Sequence, residues 1–203
     1  MNLAEKILRA KKDLDDVYEA GKKEESDDFW EQFQKDQVNY GSMNYIWAFA
    51  YARFTDKTYN PKYPIICSES GNSGQNLFYG SSITDTKVPI YANSLNLGGA
   101  FYWWKKGVTI NKLVVKESTT YKLTFTDCIA LKNITIEGVI GQDLDIHYSP
   151  LTKESVINII THLSDTATGK TLSLSKTAVE SGFGEDEWEE LVNLKSNWTI
   201  SLV

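Results

Sequence analysis

No run of apolar residues in this chain approaches the roughly 18 needed to cross a bilayer as a helix. The opening stretch MNLAEKILRAKKDLDD also lacks the continuous apolar segment of a secretion signal. Neither membrane insertion nor export is expected. Cysteine is scarce: Cys67 and Cys128 are distant in sequence and sit in no motif, which argues against a disulfide framework and for a buried thiol at each. Positive charge is in deficit, with 21 Lys and Arg against 27 Asp and Glu, a net charge of -6 and a pI near 5.0. No local Lys/Arg cluster offsets it, so nucleic acid and anionic membrane are not expected partners.

Catalytic signatures are missing as well. His147 and His162 are the two histidines, and neither has a second ligand at metal spacing. Gly169-Lys170-Thr171 resembles the tail of a phosphate-binding loop, but Ser164 stands where the leading Gly belongs. The order there is helix, loop, strand, the reverse of what such a loop needs. GNSGQN at 71–76 lacks the Gly-Lys-Ser/Thr ending, and no Gly-x-Ser-x-Gly elbow occurs. The acidic run Glu185–Glu190 suits the first turn of a helix. No cofactor is implied and a non-enzymatic role is expected. A glycan hydrolase would need two carboxylates about 5–10 Å apart in an aromatic-lined groove. Glu137 beside Tyr91 or Trp103 is where that would be sought.

What the chain does have is enough length for one ordinary domain and an appendage: 203 residues, 41% hydrophobic and 12% aromatic. Residues 1–37 form the appendage. Leu3, Ile7, Ala10, Leu14 and Val17 follow a 4-3-4-3 spacing, which predicts an amphipathic helix with one narrow apolar seam. The seam either gathers copies as a short coiled coil or folds back on its own domain. Residues 38–80 are rich in Tyr, Asn, Gly and Ser and are read as an N-terminal cap segment.

Residues 81–203 carry a recurring pattern that begins just before them. Phe78, Phe101 and Phe125 recur 23 and 24 residues apart, each followed by a short apolar pair: Val88/Ile90, Leu113/Val115 and Ile134/Ile136. Trp104 takes the slot that Cys128 fills one unit later, although three more residues separate Trp104 from Leu113 than Cys128 from Ile134. A period of about 20–29 residues with a strand in each unit is the pattern of leucine-rich repeats. After Ser149-Pro150, read as N-cap and first helical position, Val156, Ile159, Ile160 and Leu163 share a helical face. KTLSLS supplies the next strand with Leu172 and Leu174 inward. GEDEWEELVNL forms a helix with Trp188, Leu191 and Val192 buried, and NWTISLV closes with Trp198, Ile200 and Leu202 inside. The predicted fold class is α/β: a short right-handed solenoid with one parallel sheet of five strand slots and a helical C-terminal cap.

Inward alternation leaves an outward ladder, and the binding candidates lie on it or in the aromatic patch FYWWKK at 101–106. They are Tyr91, Tyr102, Trp103, Lys105, Lys112, Val114, Thr135, Glu137, Ser173 and Thr199. Exposed rings beside lysines suit stacking on sugars or anchoring a protein, while a wide repeat filled by both tryptophans is the plainer reading. Asn133-Ile134-Thr135 and Asn197-Trp198-Thr199 match the glycosylation pattern and are read as strand residues.

The stretch from FTDCIALKNITIEG through SPLTKES to KTLSLSKTAV, closed by NWTISLV, resembles leucine-rich repeat proteins of the bacterial surface-antigen class, as encoded in phage and prophage tail modules of gut bacteria. YEAGKKEE, DFWEQFQ and YNPKYPI extend the likeness over nearly the whole chain. The resemblance implies a virion or tail-tip component, made in the bacterial cytoplasm, that contacts a host surface protein or glycan or a neighbouring tail protein. It implies no catalytic residues. With the helical seam it suggests a homo-oligomer, as a trimer for example, whose copies present the ladder together. A bacterial surface adhesin built on the same solenoid is the alternative.

Overall fold

A computed structural model describes residues 64–66, 83–92, 104–117 and 123–203. The predicted seam Leu3, Ile7, Ala10, Leu14 and Val17, nearly all of the 38–80 segment, and Tyr102 and Trp103 lie outside the described residues. Within them the protein is a mixed α/β structure in which every strand pairing is parallel.

The described strands form two sheets. The first joins β1 (Ile65–Ile66), β2 (Asp85–Thr86), β3 (Ile90–Ala92), β4 (Thr109–Val115) and β6 (Asn133–Gly138). The second joins β5 (Leu123–Thr124), β7 (Leu144–Asp145), β8 (Lys170–Leu174) and β9 (Trp198–Leu202). The five slots expected in one sheet are therefore split between two. β5 and β7, each of two residues, are too short to show as alternation.

Register explains the first sheet. Thr86, Ile110 and Ile134 form one inward column, and Ile90, Leu113 and Ile136 form another. All six are buried. Three residues separate the columns on the first rung, two on the second and one on the third, so β4 bulges between Ile110 and Leu113. The expected pairs are corrected accordingly. Leu113 faces Ile136 rather than Ile134, and Val115 faces Gly138. Val88 lies in a bend, and the inward place expected for it belongs to Thr86. The three apparent extra residues after Trp104 vanish once Ile110 is seen as the partner of Ile134. Gly138 has φ +94, and a Cβ there would lie 2.2 Å from the Val115 carbonyl oxygen, so the last rung of this column must be glycine.

Trp104 and Cys128 do occupy equivalent slots. Each is fully buried, and each carbonyl accepts from the N–H three residues on, Gly107 at 3.2 Å and Leu131 at 3.1 Å. The Trp104 indole N–H donates to the Ile83 carbonyl at 2.6 Å. The Ser149 hydroxyl donates to the Cys128 carbonyl at 3.1 Å, which adds a third level to this stack. That use of Ser149 displaces the expected helix start: α1 spans Lys153–Thr161 with Thr152 at its N-cap.

α1 buries Val156, Ile159 and Ile160 as its spacing predicts, with Leu163 just beyond it. Its opposite role was not legible. The Thr152 N–H donates to the Lys132 carbonyl at 2.8 Å. The Ile134 N–H donates to the Ser155 hydroxyl at 3.0 Å, and the Ile136 N–H to Asn158 Oδ1 at 2.6 Å. A step of three along the helix matches a step of two along β6, so α1 satisfies the strand edge that a further strand would otherwise pair. The first sheet ends there, apart from a single bridge between Ile140 and Leu163.

The second sheet continues to the C-terminus. Leu123, Leu144, Leu172 and Ile200 stand in register. α2 (Lys176–Gly182) starts at Ser175, whose side chain accepts from the Ala178 N–H. α3 (Glu185–Asn193) carries Glu185, Asp186 and Glu187 in its first turn, as predicted. Leu191 is buried while Trp188 and Val192 are half-buried. Ile200 and Leu202, expected inside, are also half-buried, on a strand that among the described residues has a neighbour on one side alone. The turn into β9 is clamped: Asn197 Nδ2 and the Trp198 indole N–H both donate to the Ser164 carbonyl at 2.9 Å, and the buried Lys195 ammonium reaches the Leu163 carbonyl at 2.6 Å and Asp165 at 2.5 Å.

Candidate binding surface

Outward positions of the first sheet bring three of the candidates together. Tyr91, Val114 and Glu137 are in register across β3, β4 and β6. Lys112, thrown out by the bulge, forms an ion pair with Glu137 on this face. The hydrogen bond to Glu137 holds the Lys112 ammonium above its ordinary value of 10.5, with the phenol of Tyr91 contributing in the same direction and desolvation opposing. Glu137 thus faces an ammonium and not a second carboxylate. Thr135 is exposed beside a cleft of about 420 Å³ lined by Asn133, Thr152, Glu154 and Asn158. A smaller depression of about 330 Å³ is lined by Asp85, Lys87, Thr109 and Asn111. There the Asn111 amide donates to the Lys87 carbonyl at 3.1 Å, which braces the bulge.

The remaining candidates do not join this group. Lys105 is exposed in the turn that follows Trp104. Ser173 and Thr199 belong to the second sheet, where Ser173 is in register with Asp145 and Ser201, and Thr199 with Thr171. The single continuous ladder is therefore corrected to two polar faces. The physical cause is α1: once Ser155 and Asn158 occupy the edge of β6, later strands can add to β7 but not to β6. Some ladder positions are consumed structurally, since Ser175 caps α2 and Asn197 binds the 164–167 loop.

The second face joins His147, which the sequence reading set aside for want of a second ligand, with Asp143, Asp145 and Tyr148, which it did not consider. His147 Nδ1 lies 2.5 Å from Asp145 Oδ1, and its ring leans on Tyr148 at 3.9 Å between centroids. Asp143 accepts from the Thr171 N–H at 2.8 Å. Their i, i+2 spacing puts Asp143, Asp145 and His147 on one side of the β7 segment, a signal available in the string DLDIH. No described serine or cysteine hydrogen-bonds either histidine. Among the described residues no group of three metal-ligating side chains converges, and no helix is long and apolar enough to cross a membrane. The two faces present a phenol, an ammonium–carboxylate pair and small hydroxyls on paired strands.

The chain matches no family model, no curated protein and no solved structure.

Proposed function

We propose that this is a non-enzymatic structural or adhesion protein of the phage-tail type, whose body is a short leucine-rich-repeat solenoid and whose first sheet presents the binding face. The observation that carries this reading is the recurrence of parallel-paired strands at offsets of 21 to 28 residues. Asp85, Thr109 and Asn133 pair at steps of 24 residues, Leu123 and Leu144 at 21, and Leu144, Leu172 and Ile200 at 28. Strands of the two sheets alternate through β4, β5, β6 and β7, as successive coils of a parallel solenoid require. Trp104, Cys128 and Ser149 stacked level on level support the same reading.

On this reading residues 1–37 gather copies and the Tyr91–Lys112–Glu137 row meets a host-surface protein or glycan, or a neighbouring tail protein. Weak contacts at single copies then add through multivalency. The test is cell binding by labelled full-length protein, measured beside its solution mass by light scattering. Saturable binding lost in a Tyr91→Ala, Lys112→Ala, Glu137→Ala triple variant supports it. So does an oligomer that falls to a monomer when Leu3, Ile7 and Leu14 become Asp. A full-length monomer whose surface triple variant binds cells unchanged would remove the reading.

A further inference from the structure

The two sheets end differently. The outer edge of β6 is satisfied by Thr152, Ser155 and Asn158, but β9 has no such cover among the described residues. Val203 N–H donates to the Leu174 carbonyl and the Val203 carbonyl accepts from Lys176, so the odd-numbered residues of this strand face β8. By alternation the N–H and C=O of Ile200 and Leu202 point to the open side. Among the described residues β8 is the one strand that pairs with β9. The devices that usually protect an edge are missing too, since NWTISLV contains no charge, proline or glycine.

Leu202 also lines a groove of about 350 Å³ with Val179, Phe183, Gly184 and Trp188. Phe183 and Trp188 meet edge to face at 5.5 Å, and the Lys153 ammonium sits 5.0 Å over the Phe183 ring, so the groove walls are braced. Its rim is acidic. From Lys176 to Asn193 one lysine, at 3.7 Å from Glu180, stands against Glu180, Glu185, Asp186, Glu187, Glu189 and Glu190; Lys153 of α1 pairs with Glu187 at 2.5 Å, so the rim stays acidic by four charges. Glu180 and Glu185 line the groove itself. This charge disfavours a second copy of the chain, which would bring the same acidic helix to the site.

We infer that β9 is a docking strand for an extended, basic segment of a partner protein. The segment adds backbone hydrogen bonds at Ile200 and Leu202, seats an apolar side chain between Phe183, Trp188 and Leu202, and sets its Lys or Arg residues against Glu180 and Glu185. This surface is separate from the Tyr91–Lys112–Glu137 face, so it stands or falls on its own.

The test is fluorescence anisotropy of full-length protein with a short peptide alternating lysine and isoleucine, and with the same peptide carrying glutamate for lysine. The lysine peptide binds saturably, and binding weakens as salt rises toward about 1 M, where screening falls to about 3 Å. Glu180→Lys with Glu185→Lys, both at exposed positions, costs about tenfold or more in affinity. Ile200→Pro removes one outward N–H, which an edge strand tolerates, and costs about tenfold. If that variant does not fold, hydrogen exchange at the Ile200 and Leu202 amides substitutes for it, and protection by the peptide supports docking. The inference is overturned if the lysine peptide does not bind, if the glutamate peptide binds equally, or if exchange at those amides is unchanged. It is also overturned if the protein itself dimerises through this edge, seen as a mass that Ile200→Pro halves.

Discussion

Asn158 Oδ1 accepts the backbone N–H of Ile136 at 2.6 Å, so a helix side chain does what the next strand would do. Together with Ser155 and the Thr152 N–H it turns α1 into the terminal rung of the first sheet. Asn158→Ala leaves the Ile136 N–H unpaired in a partly buried place, and a loss of about 1–3 kcal/mol is expected in denaturant unfolding. Asn158→Asp keeps an acceptor and should lose less. Because Ser155 and Asn158 hold one edge, the double alanine variant should depart from the sum of the singles. A loss within error for Asn158→Ala would mean that the edge does not depend on the cap.

The Trp104 indole sits against its own turn as tightly as against the core. A Cβ on Gly107 would lie 2.4 Å from the ring, and the indole N–H reaches Ile83 on the preceding rung. Trp104→Phe removes that donor and part of the ring, and should lower stability by about 2–4 kcal/mol in chemical denaturation. Gly107→Ala should displace the ring and lower the melting temperature, with a change in near-ultraviolet circular dichroism as the specific sign.

Two glycines with positive φ separate strain from crowding. Gly138, at φ +94, lies against the Val115 carbonyl, whereas Gly169, at φ +65, has nothing within 4 Å of a built Cβ. Gly169→Ala is expected to cost about 1 kcal/mol from backbone conformation alone. Gly138→Ala adds a clash between rungs and should cost at least about 2 kcal/mol. Equal losses in the two variants would show that the rung spacing relaxes to take a methyl group.

Burial of Cys128 raises its thiol from 9.0 to about 12. The folded state therefore holds this proton more tightly than the unfolded chain. That contribution is fully present below pH 9.0 and is lost as the pH climbs toward 12. Lys112 acts in the same direction above 10.5, where its pairing with Glu137 disappears as the ammonium deprotonates. Stability measured between pH 8 and 11 should fall, and Cys128→Ala should flatten the part that begins near 9.0. Native Cys128 should also resist thiol reagents at neutral pH and react at the rate of local or global opening.

Some of this was readable from residue pattern. Val156, Ile159, Ile160 and Leu163 predicted the buried face of α1, and Leu172 with Leu174 predicted β8. Ile134 and Ile136 alternate with exposed neighbours as β6 does. Trp104 and Cys128 were placed in one slot from their spacing. Thr86 was missed because a threonine does not mark an apolar column, although its hydroxyl is satisfied at the Thr109 carbonyl. Ile110 was missed because the bulge put Leu113 and Val115 in the more regular-looking pair. Of the binding candidates, Tyr91, Lys112, Val114, Thr135 and Glu137 do share one face, while Ser173 and Thr199 were assigned to it by counting alone.

By itself the sequence determined which segments alternate, which turn helical and which side chains lead inward, because these follow from local periodicity and the transfer of apolar groups from water. It also determined the net acidic balance of the chain. Only the tertiary structure decided that the described strands form two sheets, that β4 bulges between Ile110 and Leu113, and that one sheet edge is capped while no described residue covers that of β9. Those outcomes depend on which backbone N–H finds which acceptor across about 20–28 residues of chain. A helix residue such as Asn158 reads as polar surface until a strand edge is placed beside it.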